Sequence, residues 1–204
     1  MIAAHVLALC AVTATLMPGM AEARDPVYIQ IDTGRGHLNM KKLPAVPQEL
    51  KGLANQSSDK SGNFLRVSLG VVSVKYLRLG FDTTHYTNVK QEYRSTNASF
   101  KSKTNMHSLG MSFILGTNED VLNTFYMYGG VRAGFNMVQT KSEYTLDGVT
   151  KNTEETRWRP GWTPVVGASW QLTSSLAIDS NLQYNMIAGN IRSTELSVGL
   201  RFLF

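Results

Sequence analysis

Glu195-Leu196-Ser197-Val198-Gly199-Leu200-Arg201-Phe202-Leu203-Phe204 decides the fold. In an extended strand successive side chains point to opposite faces. Leu196, Val198, Leu200, Phe202 and Phe204 therefore share one face, and Ser197, Gly199, Arg201 and Leu203 share the other. The strand ends on an aromatic residue with no polar tail, which in water would leave an open, adhesive edge. A barrel in a bilayer closes that edge and turns the apolar face outward to lipid.

The same alternation recurs upstream. Eight strand-like segments are expected over Val27–Gly34, Phe64–Val72, Val74–Thr87, Lys103–Gly116, Asn123–Lys141, Arg157–Leu172, Ser175–Ala188 and Thr194–Phe204. Connections alternate long and short, with long ones at Arg35–Asn63, Asn88–Ser102 and Ser142–Thr156 and a shorter one at Gly189–Ser193. The outward set includes Leu65, Val67 and Leu69, then Leu79 and Phe81, then Leu109, Met111 and Phe113. The opposite parity carries Arg66 and Ser68, Arg78 and Asp82, Ser108 and Ser112, Arg132 and Asn136, and Asp179 and Asn181. A soluble sandwich would hide its apolar face, so this inversion points to a membrane barrel with long extracellular loops and short periplasmic turns. Pro160 and Pro164 lack a ladder donor, so the upper sixth segment is expected to fray or bulge.

Composition agrees. Met1 to Ala23 has an apolar core over Val6–Leu16, then Pro18-Gly19 and Ala21-Glu22-Ala23, the form of a secretory signal cleaved before Arg24. Residues 24–204 then form one barrel domain without cysteine. No later segment approaches the roughly 18 consecutive apolar residues of a spanning helix. Loss of Glu22 takes the formal charge from +5 to +6, too dispersed an excess to argue for nucleic acid.

These features resemble the OmpA-like and opacity-type family of small outer-membrane barrels. Leu200, Phe202 and Phe204 resemble the terminal signal read by the barrel assembly machinery. Trp158 and Trp162 fit one aromatic girdle, and Trp170 with Phe202 and Phe204 the other. The resemblance implies a barrel of a Gram-negative outer membrane, in contact with lipid and lipopolysaccharide; the periplasmic domain that many such proteins append is not expected, because the sequence ends with the last barrel segment. Members of such families are mostly plugged or weakly conducting.

An eight-stranded barrel is only wide enough inside for side chains. Arg66, Arg78, Arg132 and Arg201 point inward, with Asp32, Asp82 and Asp179 as partners in a lumenal charge network. Paired, these charges plug the barrel; alternatively, the excess of arginine over aspartate gives a narrow pore with a slight anion preference. A third reading, a lipid-modifying enzyme, needs a histidine, a serine and a carboxylate in reach of one another. Residues 24–204 hold only His37, His85 and His107; Ser108 follows His107 and so faces the other way. No catalytic residue, metal site or cofactor is expected. The long loops, rich in Lys, Glu, Thr, Asn and Ser, are the expected working surface. The sequence is thus read as an all-β, eight-stranded antiparallel transmembrane barrel, a monomer with a surface-adhesion or envelope-integrity role. A host-surface ligand would bind through the loops.

Overall fold

The computed structural model describes residues 26–40, 55–59, 61–73, 77–94, 98–117, 125–146 and 148–204. The expected signal segment and a helical turn expected around Gln48–Ala54 lie outside the described residues. Among the described residues nine strands are present: β1 Val27–Met40, β2 Asn55–Asp59, β3 Ser61–Ser73, β4 Leu77–Arg94, β5 Ala98–Gly116, β6 Phe125–Leu146, β7 Val149–Thr173, β8 Leu176–Ile187 and β9 Ile191–Leu203. All pairings are antiparallel, and eight strands close a ring in the order β1, β3, β4, β5, β6, β7, β8, β9 and back to β1. Among the described residues β2 pairs only with β4, continuing the position of β3 upward along it.

Closure runs through the stretch that opened the sequence reading. Leu200 faces Ile31 on β1 and Ile178 on β8. Phe204 N donates to Val27 O at 2.9 Å, and Leu203 N to Ser175 O at 2.9 Å. No sheet edge is left at this seam, as an apolar surround demands. Gly199 permits the close approach: a Cβ there would press on the Asp32 carboxylate and lie 2.6 Å from the Ile31 carbonyl.

The outward residues form an apolar belt. Phe81, Leu109, Met127 and Leu196 are among its most exposed members, at 62%, 62%, 62% and 59%. Inside, Asp32, Asp179, Glu195 and Arg201 are each 0% exposed. Phe64, Tyr86, Met106, Val138, Ile187 and Ile191 make an apolar cluster toward the long-hairpin end, and Ile114, Tyr126, Tyr128 and Val165 another toward the short-turn end. The charged residues are interleaved with these clusters: Arg66 stacks over Phe64, and Arg78 and Arg201 stack over Tyr128 and Tyr126.

Three expectations change. Two of the long connections are largely strand: β4 continues to Arg94, β5 begins at Ala98, and β6 and β7 run to Leu146 and from Val149. Little hydrophobic alternation marks these arms: β7 is exposed on both faces from Val149 to Trp158, and the β4–β5 arm buries only Val89 and Phe100 among its described apolar residues. They are held instead by cross-strand pairs such as Thr145 with Thr150 at 3.0 Å and the rings of Tyr93 and Phe100 at 6.0 Å. Second, β7 does not fray at its prolines. Pro160 O accepts from Ala188 N at 2.9 Å, and the ladder to β8 skips only Thr163 and Pro164 before resuming at Val165 in the same register. The N and O of one residue point to the same neighbour, so the missing donors face β8 alone. Third, β4 does not end at Thr87. A register shift between Tyr86 and Val89 marks a bulge, and Thr87 Oγ1 fills the gap beside it by accepting from Asn63 N at 2.9 Å.

Candidate functional site

Two regions concentrate polar chemistry: the lumen, and the raised sheet of β4–β7 beyond the apolar belt. In the lumen, Arg201 Nε meets Asp179 Oδ2 at 3.1 Å, and Arg78 Nη1 meets Asp179 Oδ1 at 3.4 Å. Arg201 Nη2 also donates to Ser169 at 3.1 Å, and the two guanidiniums stack over Tyr126 and Tyr128 at 5.5 and 4.4 Å. Nearer the middle, Arg132 Nε lies 3.7 Å from Asp82 Oδ2, while Ser68 donates to Asp82 Oδ1 at 2.5 Å. Asp32 accepts from Gln30 at 2.8 Å and forms no ion pair among those recorded for the described residues. The arrangement brings together every lumenal residue named from sequence except that Asp32 stands apart from direct cation contact.

The residue that completes the set is Glu195. Arg66 Nη2 donates to its Oε2 at 3.3 Å and Gln183 to the same oxygen at 3.0 Å; Ser193 donates to Oε1 at 2.8 Å, as does Asn185. Gln183 also accepts from Arg132 at 2.8 Å, linking the upper and middle groups. With Glu195 counted, four lumenal arginines face four carboxylates, and the arginine excess inferred from sequence disappears. The parity that turns Ser197 inward turns Glu195 inward too; extending it by two residues finds the missing partner. The cavity among Arg66, Asp82, Arg132, Gln183 and Asn185 measures about 30 Å³, space for only two or three water molecules by the roughly 10–15 Å³ each requires.

On the raised sheet, register stacks charge. Lys90 faces Lys103, Lys103 faces Lys141, and Lys141 faces Glu154 across four strands. Two residues higher, Glu92, Lys101 and Glu143 form a parallel row on the same face. Lys141 pairs with Glu154 at 3.2 Å, and Gln139 donates to Glu154 at 2.6 Å. These hydrogen bonds, Lys141 first, hold the Glu154 carboxyl below the ordinary glutamate range. An open cleft of about 780 Å³ lies here, lined by the four lysines together with Glu92, Glu143 and Glu154.

Trp158, Trp162 and Trp170 all face outward on β7 and are 64%, 51% and 56% exposed. At a rise of about 3.3 Å and a tilt near 40°, Trp162 and Trp170 are separated by roughly 20 Å of height and Trp158 and Trp170 by roughly 30 Å. That brackets an apolar belt of about 25 Å. The histidines depart from the sequence reading, which treated them as isolated. His85 and His107 are cross-strand partners with Nδ1 atoms 3.1 Å apart. Ser108 faces the lumen, away from both.

Residues 58–204 match the family described as Opacity family porin protein. An uncharacterized protein of Haemophilus influenzae is 30% identical over 178 residues, covering 87% of this chain and 88% of its own. Among solved structures, Neisserial surface protein A is similar at 24% identity and TM-score 0.51, covering 87% of this chain and 97% of that one. The attachment invasion locus protein Ail of Yersinia pestis, in complex with the heparin analogue sucrose octasulfate, is similar at 10% identity and TM-score 0.51, covering 88% and 99%. Both likenesses are of fold. With its eight staves closed on one another, its apolar residues outside and its charges within, the chain belongs to the Opacity family and is an outer-membrane β-barrel.

Proposed function

We propose that the protein is a non-enzymatic surface adhesin whose working part is the raised β4–β7 sheet. The observation that carries this reading is the row of Lys90, Lys103 and Lys141 opening on a cleft of about 780 Å³ beyond the apolar belt. Glu154 pairs with Lys141 at the end of the row, and Lys90 and Lys103, directly opposite each other, are like charges whose repulsion a bound anion relieves. A host-surface polyanion fits that demand, and Ail's complex with a sulfated sugar supplies a precedent on the same fold. The lumen serves as a sealed anchor: about 30 Å³ of space among paired charges supports a plug over a pore. In the same reading the protein is a monomer in contact with lipid and lipopolysaccharide, Leu200, Phe202 and Phe204 are the assembly signal, and the three tryptophans form the girdles. Residues 1–23 act as the export signal.

The test is adhesion of bacteria displaying the wild-type chain or the Lys90→Gln/Lys103→Gln/Lys141→Gln variant to cells bearing sulfated glycans. The variant is expected to lose salt-sensitive adhesion while its heat-modifiable gel mobility, which reports the folded barrel, is retained. Undiminished adhesion by a folded variant refutes the assignment of the site.

A further inference from the structure

We propose that His85 and His107 form a site for a divalent transition-metal ion, Cu²⁺ above all, on the outer wall of the barrel. Register sets the two residues directly opposite each other on β4 and β5. Both are partly exposed, and they share the outward face with Phe81 below and Lys90 and Lys103 above. This is the level at which the apolar belt gives way to charge, so water and ions reach it.

The rings are tilted by 43° with centroids 4.4 Å apart, and the two Nδ1 atoms converge to 3.1 Å. A neutral imidazole has one ring nitrogen with a lone pair and one with a proton. Two Nδ1 atoms at this distance must share either a proton or a metal ion between them. A metal bound at about 2.05 Å from each nitrogen would subtend an angle of about 98°, between square-planar and tetrahedral values. Ligation through both Nδ1 atoms leaves each ring proton on Nε2. Imidazole suits copper, and Cu²⁺ heads the affinity order for nitrogen sites. Water fills the remaining positions. The ion would clamp β4 to β5 just below the bulge at Tyr86 and Val89, where the ladder itself is interrupted. This site is independent of the lysine row and stands whether or not that row binds a polyanion.

The test titrates Cu²⁺ into the refolded, untagged protein in detergent micelles, with calorimetry for affinity and electron paramagnetic resonance for the ligand nitrogens. The expected result is one ion per chain, a two-nitrogen spectrum, and at least about a tenfold affinity loss in either His85→Gln or His107→Gln. His37→Gln keeps wild-type affinity, and gel mobility confirms that each variant folds. A one-nitrogen spectrum overturns the proposal, as does wild-type binding no tighter than that of the His85→Gln/His107→Gln double variant; the pair then shares only a proton.

Discussion

Glu195→Gln leaves the shape of the lumen unchanged and removes its upper anion. Four donors converge on this carboxylate: Arg66 and Gln183 on Oε2, Asn185 and Ser193 on Oε1. A carboxylate has no proton of its own and accepts from all four. A glutamine must turn its NH₂ toward one pair, setting donor against donor, and it withdraws the negative charge from Arg66. The Arg66 and Glu195 side chains are 3% and 0% exposed, so water does not replace what is lost. Breaking one side of a buried ion pair costs about 3–5 kcal/mol. For a chain of 150–250 residues each kcal/mol moves the midpoint by about 2–4 °C, so the heat-modification midpoint is expected to fall by roughly 6–20 °C. The assay is the gel-mobility shift of refolded protein heated for equal times. Arg66→Gln/Glu195→Gln removes both charges and should recover part of the loss, by a coupling of about 0.5–3 kcal/mol. A single variant melting within about 2 °C of wild type would refute the reasoning, as would a double variant equal to the sum of the singles.

Gly199→Val places a branched side chain against Asp32 and the Ile31 carbonyl at the β1–β9 seam. Most of the heat-modifiable form is expected to be lost on refolding. Glu154, held low by Lys141 and Gln139, contributes its pairing at neutral pH and loses it as pH falls through that lowered value. Its ¹³C NMR titration should shift upward in Lys141→Gln. Arg132→Ala is expected to lower thermal stability without producing conductance steps in planar bilayers, because both apolar clusters of the lumen remain; sustained ion flow would restore the pore reading.

Face assignment was legible because the two-residue period is rigid. Leu65, Leu79, Phe113 and Val198 are exposed, and Ser68, Asp82, Ser169 and Asn181 are buried. Legibility ended where the period broke or lost its contrast. Alternation stops at Thr87 because a bulge there shifts the register of β4, not because the strand ends. Beyond it Val89 is buried and Lys90 exposed, reversing the parity that held from Arg78 to Tyr86. In β6 and β7 the arms above the membrane are wet on both faces, and a strand without a buried side reads as a loop. The histidine pair was invisible for another reason: 22 residues separate its members, and only the β4–β5 register shows that they meet.

Inward positions also carry information that parity alone discards. Tyr86, Met106 and Val138 share parity with the lumenal charges, yet they are apolar and lie toward the long-hairpin end. Ile114, Tyr126 and Tyr128 do the same toward the other end. An interior read only as "polar side" predicts a continuous charged column, in which an excess of arginine would bias the passage of anions. The charges are instead balanced four against four and interleaved with apolar residues: Arg78 faces Ile114 across the β4–β5 ladder, and Arg78 and Arg201 stack over Tyr128 and Tyr126. The rings packed against the guanidiniums exclude water that would compete for the ion pairs, and each ion pair therefore retains more of its attraction. Such a barrel gains little by conducting and much by staying rigid. A rigid, closed base is also what the raised β4–β7 sheet needs to hold Lys90, Lys103 and Lys141 in one row.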